Sequence, residues 1–184
     1  MKKIIASLVL VIIALFSFGC TDKLPEEELP KKEMPYNAVL YSQAKEWVSE
    51  DFLKENRVKA YYLNEDYVEG LDDSSTRYVY DETAPLSRTF IITEQNKFDE
   101  IFSNYNSTID FEQKIVILYI LSDVYNNRIY YLKNLQIENK ILTVYYELEH
   151  KEVDDATSLF QRCFMVILNK EEFNKVIFTE KNNN

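Results

Sequence analysis

The chain is poor in the residues that tight turns and most catalytic motifs depend on. Its 184 residues include 2 Gly, 4 Pro, 2 Cys and 1 His. So few glycines cannot build a phosphate-cradling loop, a dinucleotide-binding turn or the strained elbow of a serine hydrolase, where the backbone must bend sharply or approach a ligand closely. A single histidine excludes the paired-histidine zinc motif, and two cysteines exclude a four-cysteine zinc or iron–sulfur site. Positive charge is also scarce, with 21 Lys and Arg against 31 Asp and Glu and a formal net charge of −10. That balance repels nucleic acid and anionic lipid head groups. The composition implies no cofactor, no resident metal and no nucleic-acid partner. Aromatics are plentiful, with 14 Tyr and 11 Phe.

The amino terminus has the anatomy of a signal peptide. Lys2 and Lys3 precede an apolar and small-residue run over residues 4–18, shorter than the roughly 20 residues of a spanning helix. Ser17 and Gly19 stand just before Cys20, and this arrangement resembles the bacterial lipobox. The expectation is removal of residues 1–19 and acylation (palmitate or a similar chain) of Cys20, leaving the protein lipid-anchored on the outer side of the bacterial cell membrane. Removing 19 of 184 residues leaves 165, and losing Lys2 and Lys3 takes the formal charge from −10 to −12. Electrostatics cannot then hold the protein at the bilayer; attachment falls to the acyl chains, of which two or more give stable anchoring. With Cys20 modified, Cys163 has no disulfide partner, and an exported chain without a disulfide depends on its core.

Residues 20–35 read as a tether. Pro25, Pro30 and Pro35 recur among Glu and Lys residues, a pattern that opposes packing. At about 3.1 Å per residue such a spacer reaches no more than about 45 Å. Residues 36–181 are predicted to form one domain, and residues 182–184 a frayed tail.

Within the domain, Leu40, Ala44, Trp47 and Val48 follow helical spacing, with Asn37 as the expected cap. Ser49, Glu50 and Asp51 mark a second start. Strands are predicted at residues 57–63, 76–80 and 87–93, with Thr93 capping a helix that buries Phe98, Ile101 and Phe102. Residues 115–121 are continuously apolar and read as a central strand covered on both faces. A meander follows. Asn126 and Asn127 make one turn, and Ile129, Tyr131, Leu135 and Ile137 alternate along one face, interrupted by Lys133. Residues 138–140 turn again before Leu142, Val144, Tyr146 and Leu148. Residues 159–168 form another long strand, Asn169 and Glu172 resemble a capping box for a short helix, and Val176 to Phe178 closes the chain. The predicted class is α+β: a mostly antiparallel sheet, a meander in its C-terminal half, and a few packed helices.

Candidate sites follow from the chemistry-bearing residues. His150, beside Glu149 and near Asp154 and Asp155, could pair with a carboxylate, but spacing alone shows no nucleophile, and a solvated loop histidine fits better. Cys163 sits among Phe164, Met165, Val166 and Ile167; Arg162 points to the opposite face of a strand, so we read a buried small hydrophobe rather than a reactive thiol. The acidic loop of residues 64–73 gathers carboxylates around Gly70, without the residue order of a calcium loop, and reads as a solvated surface. Tyrosines occur as adjacent pairs at 61–62, 130–131 and 145–146, so one of each pair must leave the core. Tyr61, Tyr130 and Tyr145 are therefore the candidate partner-binding residues, against the alternative that Tyr130 and Tyr145 pack across strands.

From Arg88 to Phe178 the order of elements resembles the C-terminal domain family of the protease-complex subunit PrcB. The resemblance is carried by Thr89-Phe90-Ile91-Ile92, by Phe98-Asp99-Glu100-Ile101-Phe102, and by Ile109-Asp110-Phe111 leading into Ile115-Val116-Ile117-Leu118. Phe164-Met165-Val166-Ile167-Leu168-Asn169-Lys170 and Val176-Ile177-Phe178 complete it. Tyr125-Asn126-Asn127-Arg128 occupies the hairpin where the family commonly has Gly-Tyr. The resemblance implies a small bacterial lipoprotein associated with assembling or stabilising a surface protease, with no catalytic residue to carry over.

The expected function is a non-catalytic, lipid-anchored module that binds or stabilises another envelope protein. The alternative is a small-ligand or glycan-binding lipoprotein using the same tyrosines. A carboxylate hydrolase built on Glu147, Glu149 and Asp154 stands last.

Overall fold

Residues 115–121 and 163–168 are unbroken apolar runs, and each becomes part of a strand with side chains packed on both faces. That demand for two covering layers organises the molecule. The computed structural model describes residues 32–33, 38–124, 129–149 and 158–181. These form ten strands and two short α-helices. The strands are β1 (Lys32–Glu33), β2 (Val39–Tyr41), β3 (Tyr61–Leu63), β4 (Tyr78–Tyr80) and β5 (Ser87–Ile92). Then come β6 (Lys114–Asp123), β7 (Ile129–Glu138), β8 (Ile141–Glu149), β9 (Phe160–Asn169) and β10 (Lys175–Glu180). The helices are α1 (Glu50–Glu55) and α2 (Gln95–Ile101).

A central sheet runs in the order β2-β9-β6-β5, and a second sheet in the order β1-β7-β8-β10. On one face of the central sheet, Val116, Leu118 and Ile120 of β6 and Cys163 and Met165 of β9 pack beneath the helical layer. There they meet Ala44, Val48, Leu53, Phe98, Ile101 and Phe102. On the other face, Ile115, Ile117, Val166 and Leu168 meet Leu135, Leu142 and Val144 of the second sheet. Period-two alternation sends neighbouring residues of β6 and β9 to opposite layers, which is why both strands must be apolar throughout. Each fully buried large aliphatic or Phe contributes about 1.5–3 kcal/mol, so these two strands carry much of the stability.

The fold is α+β and sheet-dominated, as predicted, but its C-terminal strands do not form a simple meander. Only β7 and β8 are a hairpin; β6 and β9 belong to the central sheet, and β10 returns to the second. There β10 lies parallel to β8, Val176 opposite Leu142 and Phe178 opposite Val144. A parallel pair needs a crossover, and here β9, in the neighbouring sheet, supplies it in place of the usual helix. The β7–β8 turn uses Asn139 at φ 50° and Lys140 at φ 59°, both in the left-handed region that two-residue hairpin turns require.

Several local expectations are corrected. Residues 39–48 are not a helix: β2 leads to a 3₁₀ turn, Ala44–Trp47, and Asn37, the expected cap, lies outside the described residues. Leu40 faces the second sheet while Ala44 and Val48 enter the opposite core, so the apolar spacing serves two layers rather than one helical stripe. Ser49 does cap α1, accepting from the Phe52 N–H at 3.2 Å. Thr93 does not cap α2; Glu94 holds that position, without a capping side-chain bond. Residues 170–174, after Asn169, are not helical. Within the segment expected to be a tether, Lys32–Glu33 pairs with β7 at Ile137 and Gln136. Residues 1–31, Cys20 among them, the Asn126–Asn127 turn and the 182–184 tail lie outside the described residues. Among those described, no helix is long and apolar enough to cross a membrane.

Candidate binding surface

β3 and β4 form a separate two-stranded sheet with Tyr61 opposite Tyr80, Tyr62 opposite Val79 and Leu63 opposite Tyr78. Directly opposed residues share a face, so Tyr61, Leu63, Tyr78 and Tyr80 stand together. All four are exposed, at 43%, 59%, 52% and 37% respectively. The Tyr61 and Tyr80 rings lie 4.8 Å apart. On the reverse face Tyr62 is partly buried and fixes the hairpin base. Its hydroxyl donates to the Val58 carbonyl at 2.6 Å and accepts from the Val58 N–H at 3.0 Å. Burial holds the Tyr62 phenol above its ordinary pKa, an effect that the Val58 hydrogen bond and nearby Arg57 partly offset. The Arg57 guanidinium lies 4.5 Å from the Tyr62 ring.

The connection between β3 and β4 is the acidic loop, and its carboxylates brace its own backbone. Asp72 accepts from the Val68 N–H at 2.6 Å, and Asp73 from the Ser75 N–H at 2.9 Å as it caps the 3₁₀ turn Ser74–Thr76. The Ser75 hydrogen bonds hold the Asp73 carboxyl below its ordinary pKa. Gly70 takes φ +83°, a conformation a side chain would strain. These are turn-forming roles. Among the described residues, no group of three or more His, Cys, Asp or Glu is placed to hold a metal.

Beside the hairpin, a cleft of about 580 Å³ opens between the 3₁₀ turn, α1 and the start of β9, with Lys45, Glu50, Leu53 and Gln161 among its lining residues. A second, of about 410 Å³, shares those four residues and reaches Tyr62, Leu63 and Glu65. Leu63 thus belongs both to the hairpin face and to the second cleft. The Arg57 side chain lines that cleft, and its Nε–H is buried without a hydrogen-bond partner among the described residues.

The three tyrosines singled out from the sequence separate. Tyr61 is on the exposed face, and Tyr145 is partly buried on the outer side of β8. Tyr130 is only 4% exposed and is corrected as a surface residue. Its hydroxyl donates to Asp123, and its ring packs on Phe164 at 4.3 Å and Tyr146 at 5.6 Å. The cause is a β-bulge at Lys133, where the β7–β8 register shifts between Leu132 and Asn134. A one-residue insertion exchanges the faces of a strand. Before the bulge Tyr130 and Leu132 point inward and Tyr131 outward; after it Leu135 and Ile137 point inward.

Among the described residues, two carboxylates of the hydrolase alternative are engaged by neighbouring side chains. Glu147 pairs with Lys133, and Glu149 accepts from the Tyr131 hydroxyl at 2.7 Å on the surface. That bond to a carboxylate holds the Tyr131 phenol above its ordinary pKa. Cys163 is buried, and burial pushes its thiol up to about 12, with Lys45 offsetting only part of the shift. A neutral, enclosed thiol is a poor nucleophile. His150, Asp154 and Asp155 lie outside the described residues.

Comparison with protein-family models, curated proteins and solved structures finds no match to this chain. The functional reading therefore rests on the residues themselves. Leu63, Tyr78 and Tyr80 escaped a search for adjacent tyrosine pairs. The signal for Tyr78 and Tyr80 is the Tyr-x-Tyr spacing of residues 78–80, which puts two rings on one face of any strand.

Proposed function

We propose that this protein is a lipid-anchored, extracytoplasmic module without catalytic activity of its own that binds or stabilises another protein of the bacterial envelope. The observation that supports this reading best is the exposed face of Tyr61, Leu63, Tyr78 and Tyr80 on a hairpin that stands apart from the two main sheets. Exposed apolar surface concentrated in one place costs solubility, and tyrosine is favoured where such surface meets a partner. Acyl chains on Cys20 would hold the module at the bilayer, and the resemblance to the PrcB C-terminal domain family makes a surface protease the first partner to examine. The test is affinity capture from membranes with the wild-type chain and with a Tyr61→Ser/Tyr80→Ser variant, together with surface protease levels after deletion. A reproducible partner lost in the variant is the expected result. Equal recovery by both proteins, or no partner and unchanged protease levels, would sink it.

A second reading, a small-ligand or glycan module, draws on the continuity between the hairpin face and the cleft beside Leu63 and Arg57. A sugar ring stacked on Tyr61 would quench tyrosine fluorescence without any captured protein. The two readings separate on that measurement.

A further inference from the structure

The hairpin face lies within an unusually one-signed stretch of chain. Residues 61–83 hold seven Asp and Glu against one cation, Arg77. Several of these carboxylates are committed to the loop or to neighbours: Asp72 and Asp73 to turn N–H groups, Glu65 to Lys54 at 3.1 Å. Hydrogen bonding to a backbone N–H leaves a carboxylate charged, so the field of the loop persists. Asp66, Glu69 and Glu82 are exposed and have no side-chain partner among the described residues. Val68, Leu71, Val79 and Leu86 add exposed apolar surface to the same hairpin and its flanks.

We propose that the surface formed by Tyr61, Leu63, Tyr78 and Tyr80 docks a segment of a protein partner in which basic and apolar residues are interspersed. This deepens, and rests on, the protein-binding reading above. Charge complementarity selects that occupant. A second copy of the chain would bring the same acidic loop against this one, and like-charge juxtaposition opposes association. An anionic bilayer surface is repelled for the same reason. A Lys or Arg side chain, by contrast, gains from the carboxylate field and can sit over the electron-rich face of a tyrosine. The molecule already makes this contact itself: the Arg77 guanidinium lies 5.8 Å from the Tyr78 ring and 6.0 Å from that of Tyr67. Interspersed apolar residues of the partner would cover Leu63 and the ring edges.

The test uses the full mature chain and two labelled peptides, one alternating Arg and Leu and one alternating Glu and Leu, titrated by fluorescence anisotropy at low and high salt. The Arg peptide is expected to bind, more weakly as salt rises, and the Glu peptide not. Tyr61→Ser/Tyr80→Ser should weaken binding about tenfold or more, as should Asp66→Asn/Glu69→Gln/Glu82→Gln. Leu63→Ser/Tyr78→Ser provides a second lesion of the same face should the tyrosine pair disturb the hairpin. A charge-matched control, Glu112→Gln/Glu172→Gln/Glu180→Gln, should bind as the wild type does. Equal weakening by the control would reduce the effect to net charge and overturn the proposal, as would binding that is indifferent to the aromatic substitutions or equal for the Glu peptide. A partner captured from membranes through the hairpin but docking by an acidic or neutral surface would refute the basic-segment proposal and leave the module reading standing. Selective peptide binding with no hairpin-dependent capture would do the reverse.

Discussion

The hydroxyl of Tyr130, on β7, donates to the carboxylate of Asp123, the last residue of β6, and so ties the second sheet to the end of the central one. Arg162 of β9 completes the arrangement, its Nε 3.3 Å from the same Asp123 oxygen and its guanidinium 5.3 Å from the Tyr130 ring. All three side chains are largely removed from water. A buried charge pair is strongly destabilising to break one-sidedly, because the remaining ion stays desolvated.

We predict that Asp123→Ala costs about 3–5 kcal/mol. Tyr130→Phe, which leaves the ion pair in place, should cost about 1–2 kcal/mol. Urea unfolding midpoints at neutral pH measure both. A larger loss for Tyr130→Phe than for Asp123→Ala would show that the phenol, not the ion pair, holds the two sheets together.

Cys163 predicts a pH dependence. Its folded pKa, near 12, lies above the ordinary value of 9.0, so the folded state favours the neutral thiol. That contribution to stability is fully present below about pH 9 and is lost as pH rises toward 12, because the unfolded chain ionises first. Tyr62, shifted in the same direction, adds to the fall from about pH 10 upward. Unfolding free energy measured between pH 8 and 10.5 should decline, and Cys163→Ala should flatten the first part of that decline, after a constant cost for the cavity. An unchanged slope in the variant would remove Cys163 from the explanation. The folded protein should also resist thiol alkylation at pH 8 and react once unfolded.

The β7–β8 turn offers a stabilising change. Lys140 sits at φ 59°, which costs a non-glycine residue about 1 kcal/mol. Lys140→Gly creates the Asn-Gly pair favoured in such turns and should raise stability by about 0.5–1 kcal/mol, read as a higher melting temperature. The Asn174 N–H to Lys140 carbonyl bond, 2.9 Å, uses only backbone and should survive.

Anchoring is tested through Cys20. Cys20→Ser should accumulate as a precursor retaining residues 1–19, whereas the wild-type chain should lack them and carry the added mass of acyl chains. Intact-protein mass spectrometry reads both. A wild-type protein cleaved elsewhere, or unacylated, would end the lipoprotein reading.

Elements whose pattern serves one environment were legible in advance. The apolar run of β6 announces a strand covered on both sides, and the strict alternation of Leu142, Val144, Tyr146 and Leu148 fixes which face of β8 is inward. Patterns shared between environments misled. Leu40, Ala44 and Val48 have helical spacing because they feed two cores on opposite sides of the central sheet. Asn169 and Glu172 look like a helix cap, yet Phe173 beside them packs into the core between the sheets and the chain runs on into β10. On β7 a single-face reading grouped Tyr131 with Leu135 and Ile137 and left Tyr130 free for a partner; the bulge at Lys133 puts Tyr131 on the opposite face from Leu135 and Ile137 and buries Tyr130.

Composition and periodicity by themselves settled the sheet-dominated α+β class, the strand that must be central, and the turn-makers, Asn and Asp, in a chain with so little glycine. Those properties depend on local backbone preference and on whether a side chain prefers water, and each residue carries them wherever it sits. Only the tertiary structure decided which strands share a sheet, where β7 slips its register, and which tyrosines meet solvent. These outcomes depend on pairing between distant segments: a one-residue bulge costs little locally yet turns every side chain beyond it to the other face. Tyr130 was buried, and the exposed hairpin of Tyr61, Leu63, Tyr78 and Tyr80 assembled, by contacts that no single segment specifies.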